Sequence, residues 1–349
     1  MTCLILWDMH AAVDNLRRFL AHSSCEHDSE SEAEGMKMRT DAKDAQAEMI
    51  RILAASAAAE GYSPSRLAGV QYLKLSHPLP RHPVIYSPSI VIVAQGTKVG
   101  YLGDEVYTYG PEDYLVLSVP LPFECETPDA TPETPLLALS IGVDQGILGE
   151  LILEMSDYPL QAETPRGLHT SRATPEMKDA ALRLLCALDD PLQSQILGRQ
   201  IVREITFRVL MDEQGWALRA LAGLNGGFNQ VSKALNLIHR NYSTALDVES
   251  LAKAASMSVS GFHQTFKTVT ATSPVQYIKS LRLHKARMLM VQDGLNAGLA
   301  ATRVGYASLS QFSREFKRFF GSTPTAEAQK LRAVGLPELP MFPGIGKAG

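Results

Sequence analysis

What this chain lacks narrows it before any motif is read. Its 349 residues hold four cysteines, Cys3, Cys25, Cys125 and Cys186, with no CxxC and no paired spacing. That excludes a disulfide scaffold or a cysteine-ligated zinc ribbon and makes a reducing cytoplasm the expected compartment. No uninterrupted apolar run is long enough for a membrane-spanning helix, so no membrane partner is expected. The apolar opening MTCLILW is broken by Asp8 and His10, and no basic segment precedes it, which argues against a signal peptide. No GxSxG, P-loop or GxGxxG stands in a strand-to-helix context. The strand-like part contains His77 and His82 but no HxH, and residues five apart on a strand face opposite ways. A catalytic metal therefore lacks its ligand set, and neither a cofactor nor a catalytic residue is expected.

Charge is present but unevenly divided. The net charge is −4, yet residues 228–349 carry 15 Lys+Arg against 6 Asp+Glu, while residues 1–227 carry 18 against 31. A basic C-terminal part joined to an acidic front suits phosphate binding at one end of the molecule.

That basic part contains one local design twice. In DVESLAKAASMSVSGFHQTFK (247–267), Asp247 is placed to cap a short helix carrying Leu251, Ala252 and Ala255. Ser258 or Ser260 restarts a second helix on which Phe262 and Phe266, four apart, face inward. In LNAGLAATRVGYASLSQFSREFK (295–317), Ala297, Leu299, Ala300 and Val304 make the first helix, and Gly305 supplies a left-handed break. Ser308 then caps a helix whose Phe312 and Phe316 face inward. Ser260, His263, Gln264 and Lys267 stay outside in the first copy; Ser310, Gln311, Ser313, Arg314 and Lys317 do so in the second. Two such pairs, fifty residues apart between Ser258 and Ser308, read as two helix-turn-helix units. Between them, SPVQYIKSLRLHKARMLM predicts a helix over Pro274–Val291, with Ser273 as cap and Lys279, Arg282, Lys285 and Arg287 supplying positive charge. Such a rod would be about 27 Å long. It could set two recognition helices roughly 34 Å apart, one turn of duplex DNA.

From Val231 to Arg332 these residues resemble the AraC/XylS family of bacterial transcription regulators. LAKAASMSVSGFHQTFK, SPVQYIKSLRLHKARMLM and VGYASLSQFSREFKRFFGSTP carry the resemblance. It implies a DNA-binding domain of seven helices with two helix-turn-helix units, double-stranded DNA as ligand and RNA polymerase as a partner. It maps base-facing positions onto Ser260, His263 and Gln264, then onto Ser310, Ser313 and Arg314 with Gln311 adjacent; Ser260 is smaller than the residue many relatives carry. Lys267, Lys317 and Arg318, near the helix ends, are expected at phosphates. The stretch YSPSIVIVAQGTKVGYLGDEVYTYGPEDYLVLSVPLP, Tyr86 to Pro122, is similar to the cupin-like N-terminal domain of one AraC subgroup. That implies a role in sensing an unidentified small-molecule effector.

The expected fold class is α+β: a cupin-like β-barrel with flanking helices, then an all-α domain with two helix-turn-helix motifs. The expected divisions are a disordered leader at 1–40, an effector domain at 41–222, a DNA-binding domain at 228–332 and a tail at 333–349. The pattern predicts a helix over 41–59, ended by Gly61-Tyr62-Ser63-Pro64, strands from Leu67 to Val143 with a hairpin in KVGYLGDEVYTYG, and helices after Gln145. Those helices include Pro175–Leu188 and Leu192–Met211, broken at Asp189-Asp190-Pro191. The apolar stripe Leu192, Ile196, Ile205, Val209 and Leu210 fits either packing on the barrel or a homodimer seam. GLNGG (223–227) reads as a flexible linker. His169 reads as a surface loop residue. Cys125, between Glu124 and Glu126, reads as a structural cysteine, since neighbouring carboxylates suppress the thiolate. The alternative from another class is a cupin-type metalloenzyme with a basic helical appendage.

Overall fold

The computed structural model describes residues 44–155, 165–213, 215–221 and 226–334. The proposed leader, 1–40, lies outside them, as does the tail after Val334. Contacts divide the chain after Glu48. In the short N-terminal unit residues 44–48 are helical; in the large unit residues 49–56 form a helix, α1.

Among the described residues, ten antiparallel strands follow. They are β1 (Gly61–Pro64), β2 (Val70–Leu75), β3 (Leu79–Tyr86), β4 (Ser89–Gln95), β5 (Lys98–Leu102), β6 (Glu105–Tyr109), β7 (Asp113–Leu117), β8 (Leu121–Thr127), β9 (Leu136–Gly142) and β10 (Leu168–Arg172). One sheet has the order β1-β2-β9-β4-β7-β10 and the other β3-β8-β5-β6. The large sheet is covered on both faces, which is why SIVIVAQ and LLALSIG are continuously apolar rather than alternating. Val91, Val93, Leu115, Leu117, Leu136 and Ala138 point into the barrel. Their neighbours Ile90, Ile92, Ala94, Tyr114, Val116, Leu137 and Leu139 point out onto helices. Those helices are α1 through Met49, Ile52 and Leu53, then α2 (Gln145–Glu154), α3 (Pro175–Asp189) and α5 (Arg199–Met211).

Two local expectations fail. Gly61–Pro64 is not a helix stop: it is strand β1, paired with β2 in the register Gly61 to Lys74. A strand, β10, interrupts the region expected to be helical and pairs with β7. LHTSR carries one strongly apolar residue, and its partner strand is fifty residues away in sequence, so pattern alone does not reveal it. Asp190 caps a short turn of helix, α4 (Pro191–Gln193), which runs through a π-turn (Ser194–Gly198) into α5. The wider turn splits the apolar stripe. Ile205, Val209 and Leu210 are buried, whereas Leu192 and Ile196 are 67% and 59% exposed.

After a four-residue helix α6 (Trp216–Arg219), seven more helices follow among the described residues: α7 (Gly226–Asn241), α8 (Val248–Ala254), α9 (Val259–Thr270), α10 (Pro274–Val291), α11 (Ala297–Arg303), α12 (Leu309–Phe320) and α13 (Pro324–Val334). Of the proposed GLNGG linker, residues 223–225 lie outside the described residues, and Gly226 and Gly227 already belong to α7. The barrel interior and the first helical unit form one apolar cluster, from Val91 and Leu121 through Phe228, Phe262 and Phe266 to Tyr277 and Leu281. The second half of α10 packs with α11–α13 in a separate cluster. Tyr277 Oη donates to the Pro120 carbonyl at 2.7 Å and, its proton so used, accepts from His239 Nε2 at 2.8 Å. Gly167 N donates to the Val269 carbonyl at 2.9 Å.

Three histidines are buried within this framework. Burial holds His239 at about 3 and His169 at about 4, and pushes His284 well below its ordinary value. Between these values and the ordinary imidazole value of about 6.5, the unfolded chain binds protons that the folded one refuses, so stability falls as pH falls. His82 works the other way, because its raised value adds stability in acid that is lost as pH rises through it. Three groups outweigh one. Chemical denaturation should show a loss of roughly 3 kcal/mol between about pH 7.5 and about pH 5.5 from these groups. Equal stability at the two pH values would refute the buried-neutral assignment.

Candidate functional site

Each helical pair is built by the capping that its sequence prescribes. Asp247 accepts from Ser250 N at 2.7 Å to start α8, and Asn296 accepts from Leu299 N at 2.9 Å to start α11. Ser258 Oγ accepts from Gly261 N at 3.2 Å to start α9, and Ser308 Oγ accepts from Gln311 N at 3.3 Å to start α12. The inner Phe pairs repeat the geometry closely. Phe262 and Phe266 have ring centroids 5.4 Å apart, and so do Phe312 and Phe316. All four rings are fully buried. In α11, Ala300, Ala301 and Val304 face inward, while Leu299, expected on that face, is 55% exposed.

With the inner face fixed, the outer face follows. Ser260, His263, Gln264 and Lys267 are exposed along one side of α9. Ser310, Gln311, Arg314, Lys317 and Arg318 are exposed on α12, and Ser313 is half-buried. Lys267, Arg314, Lys317 and Arg318 have no ion-pair partner among the described residues. Gln311 is partly committed: its amide donates to Glu315 at 3.3 Å. Glu315 also accepts from Tyr306 at 2.9 Å and pairs with Lys279 at 3.0 Å, tying α12 to the turn after α11 and to α10.

The cations of α10 are not free charge, contrary to the expectation. Lys279 is held by Glu315, and Arg282 donates to the Tyr242 and Thr244 carbonyls at 2.6 and 2.7 Å. Lys285 and Arg287 are buried. A helix flanked by protein on several sides needs its long side chains inside, and a sequence pattern does not say which neighbours arrive.

Arg287 leads to a second site. A cavity of about 190 Å³ lies between the barrel and α10, lined by Leu73, Leu75, Met288 and Val291 together with Lys98, His82, Tyr86, Cys125, Thr127 and Arg287. Lys98 is 3% exposed and donates to Tyr86 Oη at 2.8 Å. Arg287 is 4% exposed, stacks on Phe320 at 4.4 Å and reaches Glu327 at 3.5 Å. Burial lowers its guanidinium to about 10 against the pull of Glu327. Its Nε and Thr127 Oγ1 are buried without a hydrogen-bond partner among the described residues. Lys98 and Arg287 thus bring two cationic side chains to a mostly apolar hollow, where a buried charge needs a partner.

Sequence reasoning missed Lys98 and Arg287. A signal existed for Lys98, since in KVGYL it shares the phase of inward Gly100 and Leu102. Two readings are corrected. Glu124 and Glu126 do not govern Cys125: they pair outside with Arg81 and Tyr101, while the thiol faces the cavity. His169 is no surface loop residue; it sits buried in β10 without a side-chain hydrogen bond. Among the described residues no group of three His, Cys, Asp or Glu could hold a metal ion, and no helix is long and apolar enough to cross a membrane.

A family model described as "AraC-type transcriptional regulator N-terminus" matches residues 66–217, and a helix-turn-helix domain model matches residues 251–330. The chain is 40% identical over 90 residues to the RCS-specific HTH-type transcriptional activator RclR of Escherichia coli (strain K12), covering 26% of this chain and 32% of that one. It is 37% identical over 95 residues to the HTH-type transcriptional regulator AlkR of Acinetobacter baylyi, 27% and 31% of the two chains. It thus spans about a third of the length of these curated relatives. Among solved structures, ToxT from Vibrio cholerae with an unsaturated fatty acid matches 78% of this chain and 96% of its own with TM-score 0.52 and 12% identity. ToxT bound to (E)-4-(8-methylnaphthalen-1-yl)but-3-enoic acid matches 78% and 100% with TM-score 0.54 and 11% identity. At these identities the likeness is one of fold: an N-terminal sheet domain followed by helices.

The turn between α11 and α12 tests the repeated geometry. Gly305 has φ +86, and a Cβ there would lie 2.3 Å from the Ser243 carbonyl oxygen. Gly294 has φ +69 with nothing within 4 Å. Gly305→Ala should therefore cost more than about 2 kcal/mol, combining strain and clash, and Gly294→Ala only about 1 kcal/mol. Chemical denaturation of the two variants checks this, and equal losses would contradict the close approach of Gly305 to Ser243.

Proposed function

The chain belongs to the AraC-type transcriptional regulators, and from that premise we propose that it is a one-component regulator whose α9 and α12 read adjacent major-groove segments of duplex DNA. One observation carries the proposal. Two capped helices, each locked by a buried Phe pair, leave amides, hydroxyls and unpaired cations on their outer faces. Gln264 and Arg314 suit adenine and guanine edges respectively, and Lys267, Lys317 and Arg318 suit phosphates. The division into an effector domain and a DNA-binding domain belongs to this proposal, with the two sharing a core through α10. A second copy covering exposed Leu192, Ile196, Leu197, Phe207 and Met211 is the proposed homodimer contact, and RNA polymerase the proposed protein partner. No catalytic turnover is part of the reading.

The cavity supports an effector class, an anion with an apolar body. Lys98 and Arg287 would hold a carboxylate, and the apolar lining a hydrocarbon body. The two similarly folded ToxT structures hold a fatty acid and a butenoic acid. Arg287 also touches Glu327 on α13 and Phe320 on α12, so an anion drawing on Arg287 competes with the seat of the second helix-turn-helix unit. Only such a difference between states lets a ligand shift an equilibrium.

Arg314→Ala should lose roughly 1–3 kcal/mol of specific binding and relax preference at one base pair. Titration against operator and scrambled duplex measures this, and an unchanged ratio would remove Arg314 from base reading. Lys98→Ala and Arg287→Ala should each weaken decanoate binding about tenfold or more, the worth of one charge-assisted hydrogen bond. Calorimetry showing wild-type affinity in both variants would overturn the carboxylate assignment.

A further inference from the structure

Inside the cavity, one group is left over after an anion has been accommodated: the Cys125 thiol. It is 1% exposed, yet it forms part of the cavity wall. On the paired strands β3 and β8, Cys125 stands directly opposite His82. Its Sγ is 3.8 Å from His82 Nε2, within reach of a hydrogen bond to sulfur. His82 Nδ1 lies 2.8 Å from the Pro80 carbonyl, which can only accept. The proton therefore sits on Nδ1, and a neutral His82 presents the lone pair of Nε2 to the thiol. On the other side, Lys98 donates to Tyr86 Oη, so the Tyr86 proton is free to turn to the sulfur 3.8 Å away. A thiol beside a base whose tautomer is fixed by a third group is the arrangement of an activated nucleophile. Charge agrees with geometry. Burial opposes ionisation of Cys125, but the Lys98 charge and the His82 hydrogen bond hold the thiol below its ordinary value. Arg287 and Thr127, whose Nε and Oγ1 have no hydrogen-bond partner among the described residues, line the same cavity as the thiol.

We propose that Cys125 is a covalent capture site for α,β-unsaturated carbonyl compounds with an apolar tail, with His82 as its base. His82 Nε2 takes the thiol proton, and the thiolate bonds to the β-carbon. The C=C π pair moves to the carbonyl as an enolate beside the cations of the cavity. The imidazolium returns its proton to the α-carbon. One S–C bond forms, one π bond is lost, and no oxidant or reductant is required. The step occurs once per molecule and leaves a thioether between barrel and α10. It rests on the reading of the cavity as an effector site and adds to it a class of electrophilic effector.

The test treats purified full-length protein with trans-2-decenal, fixes the products with borohydride and locates adducts by peptide mass spectrometry. Cys125 should be alkylated to about one per chain and faster than exposed Cys186, and decanoate should slow it. His82→Gln and His82→Ala should each slow Cys125 alkylation by roughly a hundredfold, the usual worth of a positioned base, with Cys186 unaffected. Cys125→Ser, with its melting temperature as a fold control, should abolish the adduct. Faster reaction at Cys186, adducts on Lys98 instead, or wild-type rates in both His82 variants would overturn the proposal. Decanoate binding without a Cys125 adduct would sink this inference alone. A Cys125 adduct without decanoate binding would sink the carboxylate reading alone.

Discussion

The arrangement depends on the burial of one helix from several sides. Through its first turns α10 lends Tyr277, Ile278 and Leu281 to the core shared by the barrel and the first helical unit. Through its last turns it lends Leu283, Ala286 and Met290 to the second unit. A phenol so deeply buried must find partners, and Tyr277 finds them on both sides, at Pro120 in the barrel and at His239 on α7. An unsatisfied buried hydroxyl costs about 1–3 kcal/mol, so that hydrogen bond fixes where the barrel sits on α10 as much as the apolar contact does. Apolar contact can slide; a 2.7 Å hydrogen bond to one carbonyl cannot.

This constraint explains what could be read from the sequence. The helix-turn-helix units were legible nearly residue by residue, because caps and Phe pairs act within a few positions of one another. Asp247, Ser258, Ser273 and Ser308 cap where the sequence places them, and α10 runs from Pro274 to Val291 as its pattern prescribes. The hairpin β5–β6 was legible for the same reason, its turn lying at Gly103-Asp104. Strands β1 and β10 were not. Their reason to be strands lies in distant partners, Val70–Leu75 and Asp113–Leu117, and not in their own residues.

The cavity was the least legible part. Lys98, Cys125 and Arg287 come from three stretches, and nothing local marks them as neighbours. Each carries a misleading local context. Arg287 looks like one of four solvated cations on a basic helix. Cys125 lies between two carboxylates that strand alternation sends to the other face. Charge counted along a chain is not charge counted in space: the flanking glutamates govern nothing at the sulfur, and Lys98, twenty-seven positions away, does.

The same geometry bears on how signal and DNA reading are joined. Had the cavity been lined by the barrel alone, an occupant would interact equally with every placement of the helices and could shift none of them. Arg287 removes that equality. It is buried, it faces the cavity, and its remaining interactions run to Glu327 on α13 and Phe320 on α12. Glu327 is in turn held by Ser322 at 2.6 Å, at the junction of those two helices. A negative charge placed beside Arg287 must share the guanidinium with Glu327, because one buried cation cannot fully satisfy two carboxylates. The energy at stake is that of a charge-assisted hydrogen bond in low dielectric, about 1.5–3 kcal/mol. Differences of 1–3 kcal/mol are the usual scale of coupling between two binding sites. Helix α12 carries Arg314, Lys317 and Arg318 and lies one side chain away from that competition, whereas α9 is packed into the barrel's own core. On the proposed reading of DNA by α9 and α12, this asymmetry would make the first unit the fixed reader and the second the adjustable one.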